Sequence, residues 1–142
     1  MKVYNVTDPM QYMSLRTDRD LKVLWLDDER DPRKYFYPKT LNRMDIDWAH
    51  DYKEFDELIR SGGYTRYDMI CLDHDLGWDS DGSDAPTGYD CVMDLDEEHY
   101  DLGFPCPDVF VHTGNPVGRQ RMLKVLDKIM AREIQRSLKI NV

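Results

Sequence analysis

Three short apolar runs in this chain each stop on polar residues with usable chemistry. Val23-Leu24-Trp25-Leu26 is followed by Asp27-Asp28, Met69-Ile70-Cys71-Leu72 by Asp73-His74-Asp75, and Val109-Phe110-Val111 by His112-Thr113-Gly114-Asn115. Runs this short, rich in β-branched and aromatic side chains and closed by turn formers, predict strands buried on both faces. Such strands belong mostly to parallel sheets covered by helices, whose ligands bind outside the carboxyl ends of the strands. The acids and histidines therefore gather on one edge. Four carboxylates converging there make a cation site before anything else.

The remaining pattern supplies the crossovers. The first residues, with Val3, Tyr4, Val6, Tyr12 and Leu15, read as a short strand or arm followed by a turn of helix. Leu21 to Leu26 is the first full strand, and Asp45 to His50 alternates as the next. Between them Asp31-Pro32 and Pro38 bracket an aromatic loop or broken helix. Asp51 caps a helix carrying Tyr52, Phe55, Leu58 and Ile59 and ending at Gly62-Gly63. Tyr67 to Leu72 is a strand, Leu76 to Thr87 a loop, Gly88 to about Tyr100 a helix, and Asp108 to Val111 a strand. Pro116 opens the longest helix, to about Ser137, with Met122, Val125, Leu126, Ile129, Met130 and Ile134 inward. Leu138 to Val142 reads as a possible last edge strand. Alternating strands and helices imply right-handed βαβ units, hence a three-layer α/β sandwich with a mostly parallel sheet. The expectation is one domain over residues 1–142, with 1–20 an extension packed on it.

Charge narrows the function. With 28 acids against 19 bases the net charge is −9, which argues against wrapping a nucleic-acid duplex. A small phosphorylated ligand held through a metal stays compatible, because a bound cation inverts the local field. Three cysteines without a paired spacing suggest a reducing, cytoplasmic setting, with Cys71 packed inertly in a strand. No apolar stretch approaches the about 18 residues of a membrane span.

At the expected site, Asp27 and Asp28 repel one another unless a cation neutralises them, and Mg²⁺ favours one or two carboxylates plus phosphate oxygens. Capping of the next turn explains the pair equally well, until Asp73 and Asp75 on a neighbouring strand favour a site. His74, between two acids, and His112, at a strand end, could exchange protons near neutral pH. Strand alternation turns His74 away from its neighbours, and His112 could simply be hydrogen-bonded at its strand end. His50 and His99 read as surface or packing residues. Thr113 and the free N–H groups of the next helix could hold phosphate oxygens. Asn115 is explained by that role or as a cap, and Arg119 and Arg30 by gripping phosphate or neutralising acids. The loop from Asp79 to Asp84 lacks the glutamate of a calcium loop and reads as a mobile rim.

The acid pair, Asp73 and Thr113-Gly114, each after a strand, resemble the receiver domain of two-component response regulators. That resemblance implies a flavodoxin-like sheet, Mg²⁺ held by the three acids, a phosphoryl group accepted by Asp73, and the Thr113 hydroxyl against it. The receiver's lysine after its fifth strand finds a counterpart only in Lys139, in the possible last strand, with no proline following. The fuller strings Leu26-Asp27-Asp28-Glu29-Arg30, Leu72-Asp73-His74-Asp75-Leu76-Gly77 and His112-Thr113-Gly114-Asn115-Pro116-Val117-Gly118 look more like the cyclic-phosphate processing receiver domain. This narrower resemblance implies hydrolysis of a cyclic phosphate at an RNA end or in a nucleotide. The expected parts are Asp27, Asp28 and Asp73 on Mg²⁺ or Mn²⁺, and His112 and His74, with Asp75, as base and acid. Thr113, Asn115, Arg119 and Arg30 would bind phosphate, so the partner is a phosphorylated small molecule or RNA terminus, not a membrane. The alternatives are a phosphoacceptor without turnover and a silent nucleotide- or protein-binding module.

Overall fold

The computed structural model describes residues 1–77 and 85–140. Five strands form one sheet: β1 (Val3–Asn5), β2 (Leu21–Leu26), β3 (Met44–Ala49), β4 (Met69–Leu72) and β5 (Asp108–Val111). They lie in the order β1-β5-β4-β2-β3, and every neighbouring pair is parallel. All of β4 and the last four residues of β2 are buried, which explains why these runs show no polar alternation.

Leu24, Leu26, Ile70, Leu72, Val109 and Val111 face one side of the sheet. There they pack under α2 (Tyr52–Ser61), α3 (Gly88–Leu102) and α4 (Pro116–Ile140), which contribute Phe55, Ile59, Cys91, Val92, Leu95, Met122, Leu126 and Ile129. Val23, Trp25, Met69 and Cys71 face the other side and meet Val6, Tyr12 and Phe36. That layer is thin: two 3₁₀ turns, Pro9–Ser14 and Pro32–Lys34, and the single-turn α1, Pro38–Leu41. Each begins on a proline, whose fixed φ starts a helical turn. The layers are those of a receiver-like α/β sandwich, with full-length helices on one face only.

The edge strand corrects the sequence reading. Leu138 to Ile140 continue α4 instead of forming a strand, and 141–142 lie outside the described residues. After Gly118 nothing interrupts the helix with glycine or proline. The edge beside β5 belongs to β1, which pairs Val3, Tyr4 and Asn5 with Val109, Phe110 and Val111. The first residues are thus part of the sheet. In the flavodoxin-like order 2-1-3-4-5, this N-terminal strand takes the place of the fifth. Lys139 is exposed on α4, and the end of β1 leads into Val6, Thr7 and Asp8. Ile134, expected inward, is 60% exposed because α4 outruns the core beyond Ile129. The acidic loop from Asp79 to Asp84 lies outside the described residues. Among the described residues no helix is long and apolar enough to cross a membrane.

Candidate metal and phosphate site

Register assembles the site. Leu26 pairs with Leu72, and Leu72 with Val111. The ladder runs one residue further, as the Asp73 N–H donates to Leu26 O at 3.0 Å and the His112 N–H to Leu72 O at 2.8 Å. Asp27, Asp73 and His112 therefore sit side by side at the carboxyl ends of three adjacent strands. Asp27, Asp28 and Asp73 each place a carboxylate oxygen within 4.8 Å of the others.

Two glycines allow the helices to close on these strand ends. A Cβ on Gly88, at the start of α3, would stand 1.9 Å from the Asp73 carbonyl oxygen. One on Gly118, in the first turn of α4, would stand 2.4 Å from the His74 ring. The Gly88 N–H also donates to His74 O at 2.8 Å. Gly77, at φ +84°, turns the chain away beside Asp28; only glycine adopts that conformation freely.

Asp27 is fully buried and fully engaged. Its Oδ1 accepts the N–H groups of Glu29 (2.9 Å) and Arg30 (2.8 Å), and its Oδ2 faces His112 Nε2 (3.1 Å) and Arg30 Nη1 (3.3 Å). The Trp48 indole N–H donates to its backbone carbonyl at 2.8 Å. Burial alone would raise its pKa, but the hydrogen bonds from His112, Arg30 and Glu29 outweigh burial and hold it below the usual carboxylate range. Burial, joined by the Asp27 charge, pushes Asp73 up to about 7. Asp28 is raised by burial and again by Asp27. Such crowding of like charges is what a cation relieves, and an all-oxygen donor set suits a hard divalent ion such as Mg²⁺ or Mn²⁺. The three carboxylates fit a metal, and Asp27 is the deepest of them.

Above the acids opens a cleft of about 320 Å³ lined by Asp28, Glu29, Arg30, Asp73, Asp75, Gly77, Thr113 and Gly114. Arg30 Nη1 also stands 3.8 Å from Asp73 Oδ2. Thr113 Oγ1 accepts the Asn115 N–H at 3.1 Å, which shapes the turn. Asn115 caps α4, its Oδ1 accepting the Gly118 N–H at 3.0 Å, and Arg119 donates to the Thr113 carbonyl oxygen. Of the residues expected on phosphate, Arg30 and Thr113 line the cleft, while Asn115 and Arg119 hold the turn that presents Thr113. Asp75 is exposed at the rim, and its Oδ1 meets His74 Nδ1 at 2.9 Å. His74 Nε2 is buried without a partner among the described residues, against the start of α4.

His112 has the placement least legible from sequence. Its ring is 1% exposed and stacks on Trp25 at 4.5 Å, and burial holds its pKa below the ordinary value. Both nitrogens are taken, Nε2 by Asp27 and Nδ1 by the Tyr12 hydroxyl at 2.8 Å. Neither nitrogen is open to the cleft. Tyr12 was missed because nothing in the first residues distinguishes an aromatic that packs from one whose hydroxyl is used. His99 is buried between α3 and α4, where Glu133 and Arg132 occupy its two nitrogens, and His50 is exposed beside Glu54.

The family model of the cyclic-phosphate processing receiver domain matches residues 22–128. The chain belongs to that family. The match takes in β2 from Lys22 onward, β3 to β5 and the whole acid cluster, and leaves out β1 and Tyr12. No curated protein and no solved structure matches the chain.

Proposed function

We propose that this receiver-family domain is a metal-dependent phosphoesterase that opens a cyclic phosphate at an RNA end or in a nucleotide. The observation that carries this reading is a carboxylate triad of which Asp28 and Asp73 share one small cleft with the exposed acid Asp75, Arg30 and the Thr113-Gly114 turn, Asp27 lying buried beneath. A divalent cation held by Asp27, Asp28 and Asp73 supplies charge neutralisation and lowers the pKa of a water. Arg30 and the Thr113 hydroxyl bind the phosphate oxygens. Asp75, steadied by His74, accepts the proton of the attacking water. Water oxygen bonds to phosphorus as one ring P–O bond breaks, the released sugar oxygen takes a proton from solvent while the exposed Asp75 returns its own to solvent, and a phosphomonoester is left. His112 holds Asp27 and does not meet the substrate.

The test is incubation with 2′,3′-cyclic nucleotides and Mn²⁺, following the phosphorus resonance of the product. The reading requires monoester formation that stops on chelation and in Asp73→Asn. A second reading, phosphoryl transfer to Asp73, rests on that carboxyl standing at the end of the central strand β4. It lacks a lysine at the end of β1, where Val6, Thr7 and Asp8 follow. A mass increase with a small phosphodonor, lost in Asp73→Asn and unaccompanied by turnover, would favour it.

A further inference from the structure

Beyond the family's matched residues, the N-terminal segment reaches His112, the partner of Asp27, through the Tyr12 hydroxyl. From this contact we infer that Tyr12 is a positioning residue of the metal site, acting through a buried Tyr12–His112–Asp27 relay. The inference rests on reading the acid cluster as a cation site. The three side chains are 3%, 1% and 0% exposed, so water does not compete for their hydrogen bonds.

The direction of the relay follows from the groups themselves. The Asp27 carboxylate already accepts two backbone N–H groups and faces Arg30 Nη1, so it acts as acceptor and His112 Nε2 carries the hydrogen. With its hydrogen on Nε2, the buried ring offers a lone pair at Nδ1, and the Tyr12 O–H, 2.8 Å away, donates to it. Tyr12 thereby supports the tautomer that Asp27 requires and fixes the ring that points its N–H at Asp27 Oδ2. Without the hydroxyl, the ring loses the bond at Nδ1 and is anchored through Nε2 alone. Tyr12 is itself fixed by rings: Trp25 and Phe36 lie at 5.2 Å, and Trp25 also stacks on His112. The turn that carries it is pinned by a capping box of Asp8 and Gln11. The segment that gives the sheet its edge strand therefore also orients the deepest acid. Partners behind metal ligands are commonly worth about 10- to 100-fold in metal affinity, and Tyr12 stands one hydrogen bond further back.

The experiment compares wild type, Tyr12→Phe and Tyr12→Leu. Tyr12→Phe keeps the ring packing and removes only the hydroxyl. Mn²⁺ affinity by calorimetry is expected to fall about tenfold in Tyr12→Phe, with little change in melting temperature, whereas Tyr12→Leu loses both. Nitrogen-15 spectra of the metal-free protein supply a readout that packing does not move. Both proteins should show the His112 hydrogen on Nε2, with the Nδ1 resonance of Tyr12→Phe moved downfield, as for a lone pair that has lost its hydrogen bond. Equal Mn²⁺ affinity in wild type and Tyr12→Phe, or a wild-type His112 with its hydrogen on Nδ1, overturns the relay while leaving the cation site standing. A wild type that binds no Mn²⁺ overturns the cation site, and the relay's role with it.

Discussion

The guanidinium of Arg30 stands 3.3 Å from the buried Oδ2 of Asp27, so the site carries a cation of its own. It also lies 3.8 Å from Asp73, between two of the acids that would hold a metal. A divalent ion and Arg30 compete for Asp27, and phosphate offers Arg30 a second partner. Arg30→Gln is therefore expected to tighten Mn²⁺ binding. A full charge at about 4 Å is worth up to about 4 kcal/mol at an effective dielectric of 20. Arg30 is 37% exposed, so solvent screening reduces that, and about a tenfold gain is expected. Affinity for inorganic phosphate in the metal-loaded protein should move the other way, by about 1.5–3 kcal/mol for a lost charge-assisted bond. Calorimetric titrations with each ligand check both directions.

Gly88 and Gly118 give a steric prediction. Gly88→Ala sets a Cβ against the backbone of Asp73, which cannot rotate away, whereas Gly118→Ala meets the His74 ring. Overpacking typically costs about 1–3 kcal/mol. Gly88→Ala should reach the top of that range and weaken Mn²⁺ binding by displacing Asp73. Gly118→Ala should cost less in His74→Ala than in wild type. Denaturant melts of the single and double variants measure the coupling.

Acid sensitivity should trace partly to Asp47. Its carboxylate accepts the Tyr67 hydroxyl at 2.7 Å and Lys22 Nζ at 3.1 Å. Burial would raise its pKa, but these partners outweigh burial and depress it. A depressed carboxylate contributes stability that is present above its unfolded value, about 3.9, and is lost as pH falls through the folded value. Wild type should lose stability from about pH 5 downward more steeply than Asp47→Asn, with the two curves parallel at neutral pH. Urea melts at a series of pH values show whether the slopes differ.

Much of this was written in the sequence. Asp108 to Val111 folds as expected to the residue, because prolines precede it and His112-Thr113-Gly114 ends it. The strand-end acids converge because parallel register leaves them no other edge. The partner of β1 was not legible, since three residues of strand carry no signal of which neighbour they pair with. The C-terminal residues misled because an apolar pattern as short as Leu138 to Ile140 fits a helix as well as a strand. The histidines were placed at the right strand ends without their burial. Whether a ring at a strand end turns into the cleft or behind the acids depends on Trp25 and Tyr12, which are distant in sequence.

The central claim is that Asp27, Asp28 and Asp73 together hold a divalent cation, and thermal melting of chelator-treated protein tests it directly. A ligand at a hundredfold its dissociation constant adds about 2.7 kcal/mol, or roughly 8–14 °C for a domain of this size. Mg²⁺ or Mn²⁺ at millimolar concentration should raise the wild-type melting temperature on that scale. Asp28→Asn should melt higher than wild type without metal, its share of the repulsion removed, and respond little when metal is added. A melting temperature indifferent to both ions in wild type and Asp28→Asn alike would contradict the account.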